Sequence, residues 1–347
     1  MRNLICLLSF ILFLFPRCSG KPEPEPDPLP LTVKQNLALL QPDPQFVMYF
    51  NFKKMRESEF WKKFISDSLF ESERNFGSFL NNLREATGVS ITDGIDELYF
   101  SNSWIGDNSM VIKGVFDKAR VYDYISRDTL YKKIDYPGGI SVYKQTETNF
   151  NFYFRDDFTV CASNYLKILE NTFTVSDTSV SGLLNNTELM KSIGDIIHKE
   201  NIWMVTNQQL FIRGIFENFS EIDISGNDMQ KSTDSNDINH YDDTTQSMQL
   251  YNVYKSIQSL SISFLMTDEL QVLMQSYCED NSSAGELKNR MDAIFALAKL
   301  STAFTKKPAP VIRILEKIDT EVYDRTVYVS LKFTQEDINE IRKQRIF

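Results

Sequence analysis

The chain has 347 residues, room for one large domain or two compact ones, and its 42% hydrophobic and 13% aromatic content, including 26 Phe and 15 Tyr, supplies core material. Lys and Arg total 37 against 47 for Asp and Glu, a formal charge of -10, so the average field repels phosphate backbones and argues against nucleic acid as a partner. Only two histidines, His198 and His240, are present, which leaves little for zinc binding or imidazole acid–base catalysis, and no cofactor is expected.

Arg2 and the uncharged run Leu4 to Phe15 have the form of a signal sequence over residues 1–20, too short to span a bilayer. Two routes of processing fit. In one, Cys18 becomes the lipidated first residue of a bacterial lipoprotein, although Arg17 stands where such signals place a small residue. In the other, cleavage after Gly20 leaves a secreted soluble chain. An uncleaved anchor is the third alternative. Residues 21–45 begin with KPEPEPDPLP, which favours polyproline II and reads as a semi-rigid tether. Ten such residues would hold a body about 30 Å from an anchor.

Beyond the tether, FVMYFNF from Phe46 reads as a buried strand, and Phe60, Trp61, Phe64 and Ile65, then Phe76, Phe79, Leu80 and Leu83, recur at helical spacing up to Gly88. ELYFS and MVIKGVF read as strands, and Asp117 as the cap of a helix carrying Val121 and Ile125. After Pro137, Gly138 and Gly139 come ISVYK, NFNFYF and FTVCAS, then helices over 165–173, with Asn164 as cap, and over 180–199. The second half gives IWMVT, the pair LSISFLM and LQVLMQSY, a helix behind a capping box of Ser283 and Glu286, the strands VIRILEKI and RTVYVSLKF, and a short helix capped by Thr334.

The recurring order predicts an α+β fold of two divergent repeats, 46–200 and 201–347, each an antiparallel sheet with helices on one face in a ferredoxin-like arrangement. The alternative is a single irregular α+β domain. Residues 221–249 are polar and acidic and read as a mobile insertion in the second unit. The layout of signal, tether and α+β units resembles uncharacterised bacterial secreted or lipid-anchored proteins of unknown function. That resemblance implies a periplasmic or cell-surface location and a membrane held through an N-terminal lipid, but no chemistry.

Asp93, Asp96 and Glu97 form the closest carboxylate cluster; a solvated turn explains them as well as catalysis does, and Asp96→Asn should then change stability by no more than about 0.5 kcal/mol. Asp223, Ser225 and Asn227 have the opening spacing of a calcium loop but lack its glycine and closing glutamate. His198 reads as a surface imidazole, and His240 as a loose partner for neighbouring aspartates. Cys161 and Cys278 could pair as a disulfide linking the units or remain buried thiols. The sequons at Asn185, Asn218 and Asn281 matter only in a eukaryotic secretory route. These residues point to a tethered, non-catalytic binding or structural module for a protein, a polymer or another copy of itself. The alternatives are a carrier of an apolar ligand such as a lipid and a carboxylate-dependent hydrolase.

Overall fold

The computed structural model describes residues 23–65, 84–85, 87–103, 105–176, 180–220, 254–304 and 316–343. The signal sequence with Cys18, the helical positions Phe76 to Leu83, the insertion with Asp223, Ser225, Asn227 and His240, and most of VIRILEKI lie outside these residues.

The described chain forms one antiparallel sheet of twelve strands. In its first half, α1 (Leu31–Leu37) leads to β1 (Phe46–Asn51), the short helices α2 (Phe52–Glu57) and α3 (Glu59–Phe64), and the pair β2 (Ile95–Asn102) and β3 (Asn108–Gly114). Helix α4 (Lys118–Arg127) follows, then β4 (Tyr131–Tyr136), β5 (Ile140–Gln145), β6 (Asn151–Phe154), β7 (Thr159–Ser163), α5 (Leu166–Asn171) and α6 (Thr187–Gly194). The second half runs β8 (Ile202–Thr206), α7 (Gln209–Ser220), β9 (Ile257–Met266), β10 (Leu270–Cys278), α8 (Asn281–Phe304), β11 (Asp319–Tyr323), β12 (Thr326–Phe333) and α9 (Gln335–Lys343).

Strands β1 and β8 pair at the centre. Outward from them the order is β1-β2-β3-β7-β6-β5-β4 on one side and β8-β9-β10-β12-β11 on the other. Each side starts with an inner strand and a two-stranded meander, and its last strand in sequence returns to the meander's outer edge; the first side has one hairpin more. One continuous sheet runs through both halves, because β1 and β8 exchange backbone hydrogen bonds and leave no seam.

Helices do not keep to one face, which corrects the ferredoxin-like expectation. On one face, called A, Phe50, Leu98, Ile112 and Val160 pack with Met55 of α2, Trp61 of α3 and Val121 of α4. The register carries that face through Met48, Met204, Ile262, Met274 and Val329 into the second half, where Ile212 of α7 and Leu287 of α8 cover it. On the opposite face, B, Val47, Tyr49, Tyr99, Tyr153 and Trp203 pack with Leu37 of α1, Leu169 of α5 and Ile193 of α6. Alternating residues of these strands are apolar on both sides, the pattern of a sheet covered twice.

Local chemistry explains most boundaries. Asn51, Ser58 and Asp117 cap α2, α3 and α4 by accepting from the backbone N–H of Lys54, Trp61 and Arg120. Two expected caps are corrected. Asp280 caps α8 by accepting from the Ser283 N–H at 2.7 Å, three residues ahead of the expected Ser283 box. Asn164 does not cap α5; its side chain accepts from the Asn108 N–H and donates to the Gly106 carbonyl, tying the β2–β3 turn down. The box at Thr334 does form, with Asp337 as its second member.

Candidate functional site

The polarity of face B changes between β8 and β9. One cross-strand row runs Val47, Val205, Ser261, Gln275, Tyr328, and the next runs Tyr49, Trp203, Ser263, Leu273, Ser330. Beyond β8 the rows turn largely polar, Leu273 and Tyr328 packing with Ile197 as the exceptions. The signal lay in LSISF, where serines alternate with large apolar residues: Leu260, Ile262 and Phe264 face the helices of face A, while Ser261 and Ser263 face the other way.

Over this polar floor lies a groove of about 290 Å³. Its floor is Ser259, Ser261, Gln275, Tyr277 and Tyr328, and Ser192 and Asp195 from the end of α6 form one wall. The turn between β11 and β12 contributes Asp324, with φ of 45°, and Arg325. The N-terminal arm contributes Glu23, Pro24 and Pro26. Among the described residues, no Leu, Ile or Val side chain lines it. Gln275 is buried and fixes the wall to the floor: its carbonyl oxygen accepts from the Ile197 N–H at 2.9 Å, and its amide donates to the Asp195 carbonyl at 2.9 Å. Two cations approach the Tyr277 ring, the Lys191 ammonium 4.8 Å and the Arg325 guanidinium 4.7 Å from its centre, and Arg325 also donates to its hydroxyl. Burial, with Glu23 nearby, raises the Tyr328 phenol pKa above its usual value.

The arm is a fitted part of the protein. The Asp27 N–H donates to the Ile197 carbonyl at 3.1 Å, Leu29 packs against the face-B core, and Pro30 leads into α1. Lys199, 4% exposed, donates its backbone N–H to the Asp27 carboxylate at 3.1 Å. Its ammonium donates to the carbonyls of Asp27 at 2.5 Å, Gly194 at 2.9 Å and Ile196. From Glu23 onward the tether therefore lies against the body, which corrects the expected ten-residue spacer.

The carboxylate trio comes apart. Asp93 sits in a tight turn with Ser90, where the two residues exchange backbone hydrogen bonds. Asp96 pairs with Arg56 at 2.7 Å on the face-A side. Glu97 accepts from the Tyr99 hydroxyl at 2.6 Å on face B, in a network that Asn36 joins. Burial, reinforced by Glu97, holds the Tyr49 and Tyr99 phenols far above their usual pKa. Strand alternation sends the two neighbouring carboxylates to opposite sides, and a bulge between Ile95 and Glu97 turns Ile95 into the face-A core beside Leu98.

Cys161 on β7 and Cys278 on β10 are free and buried. Six strand-to-strand steps separate them, about 29 Å, so the disulfide alternative is corrected: such a bond needs Cα atoms within about 7 Å. Asn185 lies in an exposed turn after Gly182, Asn281 opens α8 and Asn218 lies in α7. His198 is half-buried beside the arm, where sequence had suggested surface. Among the described residues no group of three or more His, Cys, Asp or Glu gathers to hold a metal ion, and no helix is long and apolar enough to cross a membrane.

No family model and no curated protein matches the chain. Solved structures of TP0453, a lipoprotein of Treponema pallidum, are similar to it. Crystal form I matches with a TM-score of 0.48 at 8% identity over 89% of this chain and 96% of that one. Form IV gives 0.44 at 8%, over 88% and 96%, and form III gives 0.44 at 9%, over 89% and 98%. A likeness of this size carries no argument about this chain.

Proposed function

We propose that this chain is an extracytoplasmic protein, anchored through a lipid on Cys18, that acts as a non-catalytic binding module with the groove under its arm as the binding site. The carrying observation is the polar floor of face B beneath a latched arm. Seven uncharged hydrogen-bonding side chains of the body, Ser192, Ser259, Ser261, Gln275, Tyr277, Thr326 and Tyr328, converge there, joined by Asp195, Asp324 and Arg325. Such a lining suits a small polar ligand or an extended polar segment. It speaks against the carrier reading, because an apolar ligand would strip water from serines and phenols without replacing their hydrogen bonds.

The carboxylates first considered for hydrolysis are engaged elsewhere, Asp96 by Arg56 and Glu97 by Tyr99, which supports the non-catalytic reading. Two measurements test it. The intact mass of the natural mature protein should correspond to a chain starting at an acylated Cys18; a start at unmodified Lys21 refutes anchoring. Ligand-detected NMR against a panel of polar sugars, amino acids and peptides should give signals that Tyr277→Ala abolishes while the fold is retained. Signals that persist in Tyr277→Ala would move the site elsewhere.

A further inference from the structure

A latched arm fixes where an anchor leaves the body. Between Cys18 and Glu23, the first described residue on the groove, stand only five residue steps, which at full extension reach about 17 Å. A free decapeptide would have let the body turn any side to its membrane. Five residue steps do not.

We infer that the groove-bearing end of face B is the surface this protein turns toward the bilayer that anchors it, held there by the short leash with no contribution from charge. The inference rests on the anchoring reading above. Strand β4 is the opposite extreme of the sheet: eight strand-to-strand steps, about 38 Å, separate it from β9 in the groove floor. A leash of about 17 Å can keep the groove near the headgroups while leaving that edge free to stand well away. Electrostatics does not supply the orientation. The chain carries a formal charge of -10, and beside Arg325 the groove presents Glu23, Asp195 and Asp324. The partner surface is accordingly a neutral phospholipid headgroup layer, and ligands of the groove are those reachable at that layer.

The test uses the chain from Cys18 onward. Cys161 and Cys278 are buried, so a two-chain maleimide phospholipid couples at Cys18 whatever the cell does with that residue. A failure of natural lipidation is thus seen in the native mass and does not disturb this measurement. A fluorophore is placed through a clickable residue at position 192, on the groove wall, or at position 132, on β4, and the protein is held on phosphatidylcholine vesicles carrying a headgroup quencher. Quenching at 192 should exceed that at 132 by roughly three-fold or more, and a ten-residue Gly-Ser insertion between Pro22 and Glu23 should bring the ratio toward one by adding about 17 Å of reach. A smaller ratio in the uninserted chain overturns the orientation. A ratio unmoved by the insertion overturns the leash as its cause.

Discussion

Asp27 and Lys199, 172 residues apart, form the latch that joins the N-terminal arm to the end of α6. The ammonium also caps the last turn of that helix through Gly194 and the residue Ile196 beyond it. Lys199→Met keeps the stem but leaves these carbonyls without their donor, and should lower stability by about 2 kcal/mol. Asp27→Ala removes one charge-assisted bond and should cost about 1 kcal/mol. Urea unfolding measures both, and hydrogen exchange at the Asp27 amide should accelerate in each. An unchanged exchange rate in Lys199→Met would mean that the arm is held by something other than the latch.

Arg56 organises the start of β2. It donates to the carbonyls of Ile91 at 3.0 Å and Ile95 at 2.5 Å and to the Asp96 carboxylate at 2.7 Å. Asp96 is therefore not a solvated turn residue, and Asp96→Ala should cost about 1 kcal/mol, above the 0.5 kcal/mol usual at an exposed site. Arg56→Met, which strips both carbonyls of a donor as well, should cost about 2 kcal/mol. Equal losses in the two variants would assign all of the effect to the ion pair.

Much of the fold was legible because residue period and cap chemistry are local. The meander β2–β3, the hairpin β9–β10 and the Asp117 cap followed from alternation, turn residues and an acidic side chain before an apolar stripe. Strand β4 was missed because YKKIDY sits at the sheet edge, where Lys132 and Lys133 stay in solvent and Ile134 alone supplies an aliphatic signal. The helices on face B were misassigned because sequence gives the period of β1 and not what covers each side of it. The groove was illegible for a different reason. It joins residues 23–26, 192–195, 259–277 and 324–328, and only the serine alternation in β9 marked any part of it.

Cys161 and Cys278 should remain thiols in an oxidising compartment. Burial pushes Cys161 up to about 11 and Cys278 up to about 12, so neither presents a thiolate at neutral pH. The native protein should take up no maleimide at either site, both should react after unfolding, and a reductant should leave the melting temperature unchanged. A mass two hydrogen atoms lighter over these two cysteines would contradict the strand order.

Gly182 opens the turn before α6 at φ of 52°, and a Cβ there would stand 2.3 Å from the carbonyl oxygens of both Ala38 and Leu40. The clash is with backbone, which cannot swing aside as a side chain can. Gly182→Ala should therefore cost about 2–3 kcal/mol from left-handed strain and displacement of the 38–40 segment together. Gly194→Ala, with open space around its Cβ, is the control and should change stability by less than about 1 kcal/mol. Similar losses in both would place the cost in the helix and not in the contact.

His198 gives the latch region a pH dependence. Burial holds its imidazole below the usual 6.5, and the carboxylates of Asp27 and Glu200 offset only part of that effect. The unfolded chain therefore binds the proton more readily than the folded one. Its contribution to stability is complete above the unfolded pKa of about 6.5 and is lost as pH falls through that value toward the lower folded pKa. Between pH 7.5 and 5 the urea midpoint of the wild type should fall by more than that of His198→Gln, whose side chain does not titrate. Parallel declines for the two proteins would assign the acid sensitivity to the carboxylates and remove His198 from the account.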